Sequence, residues 1–117
     1  KIISNGTTIK PEFYHECIKK QAQLTQEMQN YFKDYDILIM PTTADIAPIG
    51  LETLDIPDSN LIWSFLGMPT VSAPLLKGEF NMPQGVLFVA KKYDDQLLLQ
   101  FLSDLENNEI IKKETNV

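Results

Sequence analysis

Gly85-Val86-Leu87-Phe88-Val89-Ala90 carries no polar side chain that would mark an outward face. A strand with one wet face alternates apolar and polar residues, so an unbroken short run reads as a strand covered on both sides. Asp36-Ile37-Leu38-Ile39-Met40-Pro41 has the same character and is closed by proline, which predicts a second buried strand. Thr70-Val71-Ser72-Ala73, bracketed by Pro69 and Pro74, is rich in β-formers and reads as a third. Lys77-Gly78-Glu79-Phe80-Asn81 then makes a turn before the run that starts at Gly85.

Helical spacing surrounds these strands. Pro11 suits the first turn of a helix and Glu12 favours its dipole, although Lys10 is a poor cap. From there Tyr14, Cys17, Ile18, Leu24, Met28, Tyr31 and Phe32 recur at spacings near three and four, predicting an amphipathic helix over about 11–33. Asn60 to Leu66, stopped by Gly67 with Pro69 beyond, reads as a short helix. Asp94 is the expected side-chain cap of a last helix, in which Leu97, Leu98, Phe101, Leu102 and Leu105 form one stripe. Residues after Glu106 are expected to fray. Residues 42 to 60, with two prolines, Gly50 and several acids in no clear period, read as an irregular loop of functional length.

The order is helix, strand, loop, helix, strand, strand, helix, an α/β unit without repeat or linker. It contains a difficulty. Doubly apolar strands belong inside a covered sheet, yet three strands offer one interior position and two long helices cannot easily cover both faces. The absence of an initiator Met also gives the impression of a chain entered partway. The expectation is a single partial domain over 1–117.

Composition narrows the partners. The 117 residues are 44% apolar and 22% charged, an ordinary globular balance that excludes disordered and collagenous classes. Acids outnumber bases 16 to 10, and the longest basic runs are pairs such as Lys19-Lys20, so no nucleic-acid partner is expected. No apolar run approaches the roughly 20 residues that span a bilayer, and no membrane partner is expected. Cys17 is the one cysteine; without a disulfide framework the chain suits a cytoplasmic location.

The search for chemistry mostly excludes. His15 fails the H-E-x-x-H metal pattern because Lys19 stands where a second His would be, so no metal is expected. Cys17 shares a side of its helix with Tyr14 and Ile18 and reads as a small core residue. None of the serines, at 4, 59, 64, 72 and 103, lies in a G-x-S-x-G elbow or an S-x-x-K dyad. The five glycines form no phosphate loop, and no cofactor is expected. Asp94-Asp95 serve better as capping charges than as an acid/base pair. Trp63 is either a pocket wall or, more commonly for a lone Trp, core.

A set of ordered segments then carries a resemblance. They are Tyr35-Asp36-Ile37-Leu38-Ile39-Met40-Pro41-Thr42-Thr43, Ala47-Pro48-Ile49-Gly50-Leu51, and Asn60-x-x-Trp63-Ser64-x-x-Gly67-Met68-Pro69-Thr70-Val71-Ser72-Ala73-Pro74. Met82-Pro83-Gln84-Gly85-Val86 and Tyr93-Asp94-x-x-Leu97-Leu98 through Leu105-Glu106 follow. Together they resemble the C-terminal part of the amidase signature family of serine hydrolases, whose blocks read YDVLLTPTTP, APxGL, WxxLGxPAxSxP, LPxGLQLVG and FDExxLLxxAxxLE. The 42–63 loop and Trp63 look closer to general amidases than to the A subunits of aminoacyl-tRNA amidotransferases. Leu87 replaces the family's Gln, Val89-Ala90 replaces its VG, and Pro74-Leu75-Leu76 replaces a P-x-G.

The resemblance implies a large α/β fold with a mixed sheet between helices, incomplete in this chain. It also implies hydrolysis of carboxylic amides through a Ser–cis-Ser–Lys triad located in an earlier Gly/Ser-rich region. Ser64 and Ser72 match structural positions, so the chain alone is expected to be inactive and to contribute no catalytic residue. The loop opening at the end of the first strand is where substrate contacts are expected, with Thr42, Thr43 and Trp63 as candidates. The expected partners are the missing N-terminal part of the same enzyme, or self-association, and a small amide substrate in the intact enzyme. The alternative is a stand-alone non-catalytic module binding a partner chain through unpaired strand edges.

Overall fold

The computed structural model describes residues 6–44, 46–50 and 58–111. Helix α1 spans Pro11–Tyr31, β1 Ile37–Pro41, α2 Asp58–Leu66, β2 Thr70–Lys77, β3 Pro83–Ala90 and α3 Asp95–Asn107, with a 3-10 turn at Glu79–Asn81. The predicted loop therefore lies outside the described residues at Asp45 and over 51–57.

The sheet runs β1-β3-β2, and both pairings are antiparallel. Ile37 pairs with Ala90 and Pro41 with Val86 on one side of β3; Thr70 pairs with Val89 and Ala73 with Val86 on the other. Because successive side chains leave a strand on opposite faces, β3 divides its apolar run between two cores. Leu87 and Val89 join Trp63, Leu66 and Met68, while Phe88 and Ala90 join Ala73 and Leu98. Leu24, Met28 and Phe32 from the α1 region complete the first core; Phe101, Leu102 and Leu105 of α3 complete the second. The reading of 85–90 as a strand covered on both faces is correct, and three helices suffice to cover it.

The other predicted buried strand is different. β1 is an edge, its residues are half-buried or exposed, and Ile39 is 62% exposed. β2 continues through Pro74 to Lys77, beyond the predicted end, because it too is an edge and slips register between Ala73 and Leu76. Proline is tolerated at such an edge or bulge, where no ladder N–H is needed.

α2 ends as its glycine predicts. Gly67 takes φ +66, its N–H bonds Ser64 O, and Met68 N–H bonds Trp63 O, a Schellman closure. The carbonyls of Phe65 and Leu66 are left over, and α1 accepts the role of partner. Gln21 Nε2 donates to Phe65 O, and Thr25 Oγ1 lies 2.8 Å from Gln21 O and 3.4 Å from Leu66 O. Thr25 is the buried polar residue that the apolar spacing could not reveal.

Four expectations need correction. α1 stops at Tyr31, and Tyr14, Ile18 and Tyr31 of its stripe are exposed, with Cys17 half-buried. Asp94 holds the N-cap position of α3 without a side-chain bond, and Leu97 faces water. The chain stays folded from Glu106 to Ile111, the last described residue: Glu109 turns at φ 59, Ile110 N–H closes on Leu105 O, and Ile111 packs on the second core, while the rest of the expected frayed tail lies outside the described residues. The short second helix starts at Asp58, two residues before its predicted start.

The accessible area is 9554 Å² for 13.3 kDa, against about 6,400 Å² for a folded monomer of that mass.

Candidate functional site

The open end of the sheet gathers three small residues. As the chain leaves β1, Thr42 N–H bonds Gly85 O at 2.9 Å, extending the ladder one residue past Pro41. Ser72 comes from β2, opposite Leu87. Across β3 the hydroxyls meet, with Thr42 Oγ1 2.6 Å from Ser72 Oγ. They meet over Gly85: a Cβ there would lie 2.6 Å from both oxygens, so only glycine leaves room for the bridge.

Such a pair has a definite chemistry. Each hydroxyl carries one donor and two lone pairs, and the mutual bond consumes one donor. One O–H and several lone pairs stay available, and Ser72 is exposed. The pair can therefore offer a donor and an acceptor together, as a carboxamide requires. In this bridge Ser72 bonds a hydroxyl and not a basic side chain, so the pair by itself supplies no base to take the proton of an attacking serine.

Of the three predicted pocket residues, Thr42 belongs to this bridge and half-buried Thr43 follows it. Trp63 stands apart, 7% exposed in the first core, with Nε1–H directed at Met40 Sδ, 3.0 Å away. Met40 and Thr42 share a face of the chain as it leaves β1, so Trp63 supports the strand end from below. Sequence reasoning missed the partners of Thr42. Gly85 inside an apolar strand was the available signal, since glycine there often marks a close approach.

The remaining candidates stay dispersed. His15 is exposed on α1 with its ring 5.9 Å from that of Tyr14. Among the described residues no cluster of three or more His, Cys, Asp or Glu could hold a metal ion. No helix among them is long and apolar enough to cross a membrane.

Comparison with known proteins gives a consistent picture. The family model described as Amidase matches residues 2–99. The chain is 28% identical over 107 residues to the A subunit of the glutamyl-tRNA(Gln) amidotransferase from Deinococcus deserti (strain DSM 17065), covering 80% of this chain and 22% of that protein. It is 29% identical over 103 residues to the putative amidase AmiC of Mycobacterium leprae (strain TN), covering 78% and 22%. A solved structure of 6-aminohexanoate cyclic dimer hydrolase superposes with a TM-score of 0.74 at 21% identity, covering 91% of this chain and 26% of that one. The chain thus spans about a quarter or less of the length of these proteins, and both amidotransferase subunits and amidases are among them.

Proposed function

This chain belongs to the amidase family, and from that premise we propose that it is the C-terminal segment of an enzyme hydrolysing carboxylic amides. The acyl-enzyme chemistry, with a serine activated through a cis-serine and a lysine, takes place on the part of the fold not contained here. The observation that carries the reading is the family match over residues 2–99, joined to a coverage of only 22% of the relatives' length.

Within that enzyme the segment acts as one partial domain that supplies sheet and pocket. Thr42 with Ser72 meets the polar end of the amide substrate, Thr43 extends the contact, and Trp63 fixes the strand end beneath them. The partner is the N-terminal part of the same enzyme, which adds to the β1 edge and covers exposed residues such as Ile39. The lone chain self-associates through the same edge. A cytoplasmic location fits the single unpaired Cys17.

The test is amide hydrolysis. The complete protein that contains this segment is expected to turn over a primary carboxamide and to lose that activity to a serine-directed sulfonyl fluoride. The 117-residue chain alone is expected to be inactive. Turnover by the chain alone, abolished by Ser64→Ala or Ser72→Ala, would overturn the assignment of catalysis elsewhere.

A further inference from the structure

The loop after β1 and the turn between β2 and β3 close on a pocket of uniform character. Ile46, Ala47, Pro48 and Ile49 line one side, Phe80 and Met82 the other, around about 240 Å³. No lining side chain carries an N–H or O–H donor. A cavity of about 150 Å³ lined by aliphatic and aromatic groups stays dry and binds benzene, so this one has room for a larger apolar group.

Two features show that the pocket is held open by the backbone. A Cβ on Gly78 would overlap Ile46 Cγ2, so the loop is seated against the turn through a contact that only glycine permits. Phe80 has φ 55 and ψ 23, and Asn81 follows at φ 60. Bulky side chains avoid this left-handed region, and such strain gathers at ligand clamps and switch segments. Its effect here is to hold the Phe80 ring 78% exposed at the rim, facing Ile49, itself 88% exposed.

We propose that this pocket binds the apolar group of the amide substrate, an aliphatic chain of about six carbons or one phenyl ring, with Phe80 as one of its walls. The apolar occupant follows from the lining and volume; that it is part of an amide rests on the function proposed above. Four residue steps separate Thr42 from Ile46, a reach of at most about 14 Å. A substrate can therefore place its carboxamide at the Thr42–Ser72 bridge and its hydrocarbon in the pocket, both beyond the C-terminal end of β1.

Toluene is the probe, titrated into the chain carrying 13C-labelled methionine methyls, with half-exposed Met82 as the NMR reporter. The expected result is a saturable shift at Met82, with the buried Met68 unmoved. Ile49→Asp, at a position already in water, should weaken binding at least tenfold without changing the unfolding midpoint. Phe80→Gly should weaken it similarly while raising the midpoint, because glycine accepts the left-handed backbone. A merely structural Phe80 would move only the midpoint. An absent or unsaturable shift, or one untouched by both substitutions, overturns the pocket. Because toluene binding needs no turnover, a complete enzyme that hydrolyses no amide would sink the proposed function and leave the pocket standing.

Discussion

α3 buries its apolar stripe against the sheet, whereas the first half of α1 carries a comparable stripe into water. On α3, Leu98 is 2% exposed, Phe101 stacks edge-on to Phe88 with ring centroids 5.5 Å apart, and Leu102 and Leu105 fill the spaces beside them. On α1, Phe13 is 58% exposed and Tyr14 and Ile18 are exposed, while further along Gln21 donates to Phe65 O of α2. Both helices show the same period. Periodicity states that a helix has a face to cover, and says nothing about whether the cover belongs to the same chain. The chain matches the Amidase family over residues 2–99 and spans about a quarter of its relatives' length, which fits a cover for α1 and the β1 edge lying in a part not contained here.

The sharpest way to break the comparison is to empty the α3 interface. Phe101→Ala should cost about 3 kcal/mol of unfolding free energy, through lost burial, a residual cavity and the lost ring pair. Denaturant midpoints decide it, and a midpoint equal to wild type would mean that α3 is not docked.

On the opposite face, close approach matters more than volume. Gly85→Ala should cost about 2 kcal/mol by driving a methyl into the Thr42–Ser72 bridge, in the range of overpacked cores. Adding Ser72→Gly should recover part of that loss, because Thr42 Oγ1 and Cβ still stand 2.6 and 3.0 Å from the new methyl, and no recovery at all would deny that the hydroxyl bridge is the obstruction. Next, Thr25→Val keeps the shape but leaves Leu66 O without its hydroxyl partner, an expected loss of about 1 kcal/mol. A neutral outcome in calorimetry would show that the Thr25 hydroxyl adds nothing to the docking of α1.

The smallest effect sharpens the contrast itself. Phe13→Ser with Ile18→Ser should leave the unfolding of this chain within about 0.5 kcal/mol, as should Gln100→Ala on the wet side of α3. In the complete protein the α1 pair should become costly while Gln100→Ala stays neutral. If the α1 pair is equally neutral there, that face has no cover.

Much of the fold was legible because local rules and tertiary packing agreed. Val86 to Ala90 is apolar without alternation, and β3 lies between two strands and two helical layers. Gly67 supplied the left-handed stop of α2, and Leu98, Phe101, Leu102 and Leu105 docked as their spacing implies. Ile37 to Met40 was equally apolar but became an edge, since composition does not encode which strands find neighbours. The end of α3 was hidden for a related reason: Glu109 adopts a conformation usually left to glycine, and Ile111 is held by packing. At the candidate site, Thr42 was visible at the end of its strand, but Ser72 and Gly85 were not, because they come together only through the register of three strands.

The sequence by itself determined the elements, their order and the family, since helix and strand periods, glycine stops and motif blocks are local properties of the chain. Only the tertiary structure decided that Thr42 meets Ser72 over Gly85, that Gln21 and Thr25 complete the end of α2, and that the loop at Ile46 closes a pocket against Phe80. Those contacts join residues 30 to 44 positions apart, set by strand register and backbone approach, and no local pattern records which distant atoms share a space.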